Sequence, residues 1–69
     1  MKEVMYPELA AEMARHGDNQ MKIGKLLDMT GASVSRRLSG KSEWTISDID
    51  TLCKYYNKDY YELFKRNED

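Results

Sequence analysis

Cysteine and histidine are nearly absent from this sequence, which contains one of each among its 69 residues. A lone cysteine cannot form a disulfide within the chain, and one cysteine with one histidine cannot complete a structural zinc site. Cys53 falls on an apolar helical stripe, so we expect a small buried side chain rather than a reactive thiol. A chain without disulfides is typical of a reducing compartment, and we expect a cytoplasmic location.

Long apolar runs and catalytic patterns are also missing. The first residues, which include Lys2 and Glu3, resemble neither a signal peptide nor a membrane span, so we expect no membrane partner. The sequence has no glycine-rich phosphate loop and no metal-ligand spacing, and its only histidine, His16, lies at a predicted helix end. In a chain of 69 residues, which builds one small domain, these absences argue against an enzyme, a cofactor and a small-molecule ligand.

Short segments with helical periodicity make up most of the chain and predict a compact all-α fold of five helices. Gly24 lies inside the second helix at a cost of about 1 kcal/mol, which predicts the close approach of another backbone. We expect an N-terminal arm over residues 1–5, one domain over 6–64 and a polar tail over 65–69. The predicted helix starts are Pro7, Asn19, Thr30, Thr45 and Asp59, and the predicted ends are Gly17, Gly40 and Asn57.

The third predicted helix, over about residues 31–39, has an apolar side and a polar side. Val34 and Leu38 are four residues apart, so both are expected to face the interior. At about 100° per residue, the opposite face carries Ala32, Arg36 and Ser39, which are small residues around one arginine. The inward stripes expected for the second and fourth helices are Ile23, Leu26 and Leu27, and Ile46, Ile49, Leu52, Cys53 and Tyr56.

Charge is segregated along the chain although the net charge is only −1. Residues 20–41 carry five basic side chains against one acidic side chain, a balance of +4. The preceding residues 1–19 have a balance of −2, and the following residues 42–69 a balance of −3. A basic centre between acidic flanks is expected if one face meets an anion, whereas the alternative is a chance cluster on a solvated face.

The aromatic residues of the second half leave two interpretations open. Four tyrosines at 55, 56, 60 and 61 can form a stacking platform for single-stranded nucleic acid, or can divide between the core and a self-association surface. Trp44 can direct its indole N–H toward a sugar-phosphate backbone, or can cover the core end of the fourth helix. The acidic, helical surroundings of the tyrosines favour the packing interpretation for them. A tryptophan in such a position more often covers the core, so packing is also favoured for Trp44.

The order of small, aliphatic and polar residues in the middle of the chain points to a family. It runs from Gln20 through Ile23-Gly24, Met29 and Val34 to Leu38-Ser39-Gly40-Lys41, and continues with Trp44 to Ile49 and Tyr60 to Phe64. In these residues the chain resembles the helix-turn-helix domain of phage repressors of the Cro and C1 type, the XRE family, over about residues 6–64. Two departures are Asp28, where the family usually has a left-handed glycine, and Lys22, where it often has glutamate.

The resemblance implies a lambda-repressor-like fold with its helix-turn-helix at residues 20–40 and the third helix in the major groove of double-stranded DNA. Arg36 is the residue best suited to bases, because its guanidinium matches the O6 and N7 acceptors of guanine. Arg37 flanks this face and is expected to contact phosphate. By position, the resemblance assigns base reading to Thr30, Ala32, Ser33 and Arg36, and phosphate binding to Asn19, Gln20, Lys41 and Ser42.

The expected function is therefore sequence-specific transcriptional regulation, as a phage or mobile-element repressor that binds a palindromic DNA operator as a homodimer. The rival interpretation is a protein-interaction module, such as an antitoxin-like partner, an antirepressor or an adaptor, that uses the same fold without specific DNA binding. Single-stranded nucleic-acid binding through the tyrosines is a third interpretation.

Overall fold

The computed structural model describes residues 5–67, and the chain between them forms five α-helices without a strand. None of these helices is long and apolar enough to cross a membrane. The expected arm lies outside the described residues except for Met5, as do the last two residues of the expected tail. The helices are α1 (Pro7–Arg15), α2 (Gln20–Leu27), α3 (Gly31–Leu38), α4 (Ile46–Tyr56) and α5 (Tyr60–Leu63).

Short polar side chains fix the helix starts where the sequence predicts them. The Thr45 hydroxyl accepts a hydrogen bond from the Asp48 backbone N–H, and the Asp48 carboxylate accepts one from the Thr45 N–H, which makes a capping box at α4. Asn19 and Asp59 each accept a backbone N–H three residues later at α2 and α5. Each such cap stabilises its helix by about 1 kcal/mol.

Two helices end on a residue other than glycine in the left-handed conformation. Asp28 has φ 59° and ψ 50° after α2, and Asn57 has φ 55° and ψ 47° after α4. Aspartate and asparagine tolerate this region better than most residues other than glycine, because their short polar side chains can hydrogen-bond locally. The turn expected at Asp28 is therefore kept without the glycine.

The core lies where the five helices meet, and its most deeply buried side chains are aliphatic. Two expectations of the periodicity analysis are wrong. Leu26 is 39% exposed and Ile46 is 86% exposed, so the inward stripes of α2 and α4 are narrower than predicted. Cys53, which is predicted to be buried, is half-buried and packs against the core. The core consists of Tyr6, Leu9, Met13, Ile23, Val34, Trp44, Leu52, Tyr56, Leu63 and Phe64.

Gly24 marks the closest contact between α2 and the turn that follows it. A Cβ atom at this position would lie 2.5 Å from the Met29 carbonyl oxygen, 3.3 Å from the Thr30 carbonyl carbon and 3.5 Å from the Gly31 nitrogen. All three are backbone atoms, which cannot move aside as a side chain can. The predicted close approach of another backbone is confirmed.

Candidate nucleic-acid interface

α2 and α3 form one unit because the turn between them is held at both ends. The Met29 N–H donates to the Gly24 carbonyl oxygen at 2.8 Å, which closes α2. The Thr30 hydroxyl accepts the Ser33 N–H at 3.1 Å, which opens α3. Val34 is fully buried, and Leu38 packs partly against the core. These contacts fix the direction in which the outer face of α3 points.

The outer face of α3 has the composition that the helical spacing predicts. Ala32, Arg36 and Ser39 are exposed, while Ser33 and Arg37 are half-buried on the flanks. The Thr30 hydroxyl also donates to the Ser33 hydroxyl oxygen at 3.2 Å, so both hydroxyls are held at the start of the helix. The side chains around the long, basic Arg36 are small, so a flat or grooved partner can approach the helix closely.

The two arginines of α3 differ in their surroundings. Arg36 makes no side-chain hydrogen bond or ion pair with another residue between 5 and 67. Arg37 is turned toward α4, with its Nε buried 3.7 Å from an Asp48 carboxylate oxygen and its Nη1 donating to the Ser33 carbonyl oxygen at 3.2 Å. Arg37 thus links α3 to α4, a contact that the sequence analysis missed because nothing local indicates it.

The start of α2 is exposed and firmly anchored. The Asn19 side chain accepts the Lys22 N–H at 2.8 Å, and Gln20 is exposed beside it. The first N–H groups of a helix have no partner within it and favour anions. This end of α2 therefore offers both a side-chain amide and helix N–H groups to a negatively charged ligand.

Asp18 anchors this helix start to α4. Its carboxylate accepts hydrogen bonds from the Tyr56 hydroxyl at 2.8 Å and the Tyr55 hydroxyl at 3.3 Å, and Lys22 Nζ lies 3.5 Å away. Burial opposes ionisation, but the tyrosine hydrogen bonds and the lysine charge outweigh it and hold the pKa of Asp18 below its ordinary value. These partners lie 37 and 38 residues away in sequence, so no local pattern indicates the contact.

The loop after α3 brings Lys41 and Ser42 next to the end of that helix. Both residues donate their backbone N–H to the Arg36 carbonyl oxygen, at 2.9 and 3.2 Å. Lys41 is exposed and Ser42 is half-buried. The predicted phosphate-binding residues of this loop and of the α2 start therefore lie at two ends of the same helix-turn-helix unit.

Trp44 and Tyr56 are core residues. Trp44 is 8% exposed, its indole N–H is buried without a hydrogen-bond partner among residues 5–67, and its ring packs edge-on against Tyr6 and Phe64. The option of an indole contact to a phosphate is therefore wrong. Tyr56 is 5% exposed, so a stacking platform that includes all four tyrosines is also wrong. Among the described residues, no group of three or more metal-ligating side chains is placed to hold an ion.

The fold and the geometry of α2 and α3 define a small helix-turn-helix domain. Comparison with known families gives a match to the BetR domain over residues 2–69, and the chain belongs to that family. BetR domains are small helical domains of the helix-turn-helix kind that occur in transcription regulators. The match supports the helix-turn-helix part of the resemblance and does not single out the Cro and C1 type. No curated protein and no solved structure has significant similarity to the chain.

Proposed function

We propose that this domain is a sequence-specific regulator of transcription that binds double-stranded DNA with α3 in the major groove. The observation that carries the proposal is the outer face of α3, where the exposed Arg36 side chain is surrounded by small residues and pairs with no other residue in the described part of the chain. A guanidinium in this setting suits the paired acceptors of guanine, and the small neighbours allow the groove to come close.

The proposal divides the work between bases and phosphates. Base edges and the adjoining backbone are read by Arg36 with Thr30, Ala32 and Ser33. Phosphates are bound at the two ends of the helix-turn-helix unit, which is the arrangement that fixes such a unit on a duplex. These phosphate-binding residues are Asn19, Gln20, Arg37, Lys41 and Ser42.

One such domain reads few base pairs, so the proposal includes a homodimer on a palindromic operator and the role of a phage or mobile-element repressor. It includes no catalytic activity, cofactor or small-molecule ligand. The similarity of residues 6–64 to the Cro and C1 type supports this finer assignment.

Selection of binding sites from random duplex DNA tests the proposal directly. The expected result is an enriched motif with two inverted half-sites whose centres lie about one helical turn, or a multiple of it, apart. Binding that has no enriched motif, or no binding at low ionic strength, would contradict it.

The rival proposal is a protein-interaction module, and the exposed apolar side chains of α4 and α5 favour it. Ile46 is 86% exposed and Tyr61 is 83% exposed, which is unusual for large apolar or aromatic residues. This alternative predicts a stoichiometric protein partner and no salt-sensitive DNA binding. The same selection experiment separates the two proposals.

A further inference from the structure

The first and last described residues of the chain meet beside the loop that follows α3. The Asn67 backbone N–H donates to the Met5 carbonyl oxygen at 2.8 Å. Both residues lie outside the predicted domain over 6–64, yet each is joined to the other by a backbone hydrogen bond. We call Met5, Arg66 and Asn67 the terminal clasp, because the side chains of Met5 and Arg66 both reach the loop.

Met5 covers Gly40, which follows the C-cap of α3 and has φ 84°. A Cβ atom at Gly40 would lie 2.8 Å from the Met5 Cε atom, 3.6 Å from its Cγ atom and 3.7 Å from its Sδ atom. The Met5 side chain is half-buried and packs against the core. The methionine therefore fills the space that is open because residue 40 has no side chain.

Arg66 reaches the same loop three residues further on. Its Nη2 atom lies 3.9 Å from the Glu43 Oε1 atom, and its guanidinium carbon lies 6.0 Å from the centroid of the Tyr6 ring. Both side chains of this ion pair are at least half exposed, so it contributes less than the apolar contact of Met5. The loop is thus held at Gly40 by Met5 and at Glu43 by Arg66.

Lys41 and Ser42, which the proposed function assigns to phosphate, are the two residues between these points. Their backbone N–H groups donate to the Arg36 carbonyl oxygen at 2.9 and 3.2 Å. A loop that is held on both sides of its binding residues loses less conformational entropy when a ligand binds than a loop that must first become ordered.

From these contacts we propose that the terminal clasp positions the loop after α3 for phosphate binding, with Met5 as the main positioning residue. Met5 acts through the loop and does not itself touch the phosphate. The inference deepens the proposed function and rests on it for the phosphate contact, whereas the rigidity of the loop is measurable without DNA.

Amide hydrogen exchange, followed by NMR on the 69-residue chain without DNA, measures this rigidity. Met5→Ala is expected to speed exchange of the Lys41 and Ser42 N–H groups by about tenfold or more, because the loop then opens locally at a lower free energy. The N–H of Met29, in the turn between α2 and α3, is expected to change by less than about twofold. Met5→Leu keeps an apolar side chain of similar volume and is expected to restore slow exchange.

Arg66→Ala is the second variant and carries the test if Met5→Ala does not fold. Lys65→Ala is its matched control, because it removes the same charge from the neighbouring exposed residue. Arg66→Ala is expected to speed exchange at Lys41 and Ser42 by about two- to fivefold, and Lys65→Ala by less than about twofold. Unchanged loop exchange in a folded Met5→Ala, an equal rise at the turn between α2 and α3, or equal effects of Arg66→Ala and Lys65→Ala would overturn the proposal.

A double-mutant cycle on duplex DNA connects the loop to binding. Met5→Ala is expected to weaken binding to all duplexes alike by about three- to tenfold, since the loop must then be ordered on binding. In the Lys41→Ala background the same substitution is expected to weaken binding by less than about twofold, because both changes act on one contact. Additive losses would mean that Met5 does not act through Lys41, against the proposal. Failure of the wild type to bind any duplex, with the exchange results as expected, would instead reject only the proposed function.

Discussion

At the scale of single residues, substitution of Arg36 is the most direct test of the proposed function. Arg36→Ala is expected to lower affinity for the selected site by about 1–3 kcal/mol and to relax the preference at one base position. Fluorescence anisotropy with the selected duplex and its single-base variants measures both effects. If affinity and preference both survive, the outer face of α3 does not read bases.

Lys41→Ala is the comparison for Arg36→Ala, because Lys41 is exposed in the loop that directly follows α3 and its backbone N–H donates to the Arg36 carbonyl oxygen. Loss of a phosphate contact is expected to weaken all duplexes alike and to lower the salt slope of binding by about one unit. A change in base preference at Lys41 would contradict its assignment to phosphate.

Gly24 carries a prediction about stability. Gly24→Ala places a Cβ atom 2.5 Å from the Met29 carbonyl oxygen, so the turn must shift. Such overpacking lowers the free energy of unfolding by about 1–3 kcal/mol, and the better helix propensity of alanine offsets about 1 kcal/mol of this loss. Urea denaturation is expected to show a net loss for Gly24→Ala. Gly31→Ala is the control, because the atoms nearest to its Cβ are 3.9 Å away, and no loss is expected there.

At the scale of helices, the sequence predicts the features that depend only on residues close together in the chain. Caps such as Asn19 and Thr45 act within three residues, so the helix starts could be predicted from the sequence. Leu26 and Ile46 show the limit: periodicity identifies the apolar side of a helix but does not indicate how far its neighbours extend over it. Asp18 was missed as an anchor for a similar reason, because its tyrosine partners come from a distant part of the chain.

The contact between α3 and α4 involves Arg37 and not its neighbour Arg36, so the two arginines are expected to differ in their effect on stability. Arg37→Ala leaves the mostly buried Asp48 carboxylate without the Arg37 guanidinium beside it. The free energy of unfolding is expected to fall by about 1–2 kcal/mol, which lies between the values for surface ion pairs and for buried ion pairs. Arg36→Ala is the matched control, because the exposed Arg36 side chain pairs with no other residue between 5 and 67, and a change below about 0.5 kcal/mol is expected. Equal losses in chemical denaturation would mean that the Asp48 contact adds nothing to stability.

At the scale of the whole molecule, the net charge of −1 understates how basic the helix-turn-helix unit is. The acidic side chains of α1 are paired, since Glu8 and Glu12 both contact Arg15 and Lys58. Lys25, Arg36 and Lys41 make no ion pair with another residue between 5 and 67. Much of the acidity is therefore neutralised within the fold, while basic groups of the central unit remain available to an anion.

The anchor at Asp18 predicts how stability varies with pH. Because the pKa of Asp18 in the folded state lies below its ordinary value of 3.8, its contribution is complete above that value and is lost as the pH falls toward the folded pKa. Tyr56→Phe removes the strongest hydrogen bond to this carboxylate and is expected to cost about 1.5–3 kcal/mol at pH 7.

The difference in unfolding free energy between wild type and Tyr56→Phe should therefore be constant from about pH 7 to pH 5 and shrink below about pH 4, as Asp18 becomes protonated in both proteins. Tyr55→Phe, which removes the longer bond of 3.3 Å, should follow the same course with a smaller amplitude. Urea denaturation at a series of pH values measures both curves. A difference that stays constant down to pH 2 would mean that the Tyr56 hydroxyl stabilises the fold without the Asp18 charge, and that the start of α2 is held to α4 by packing alone.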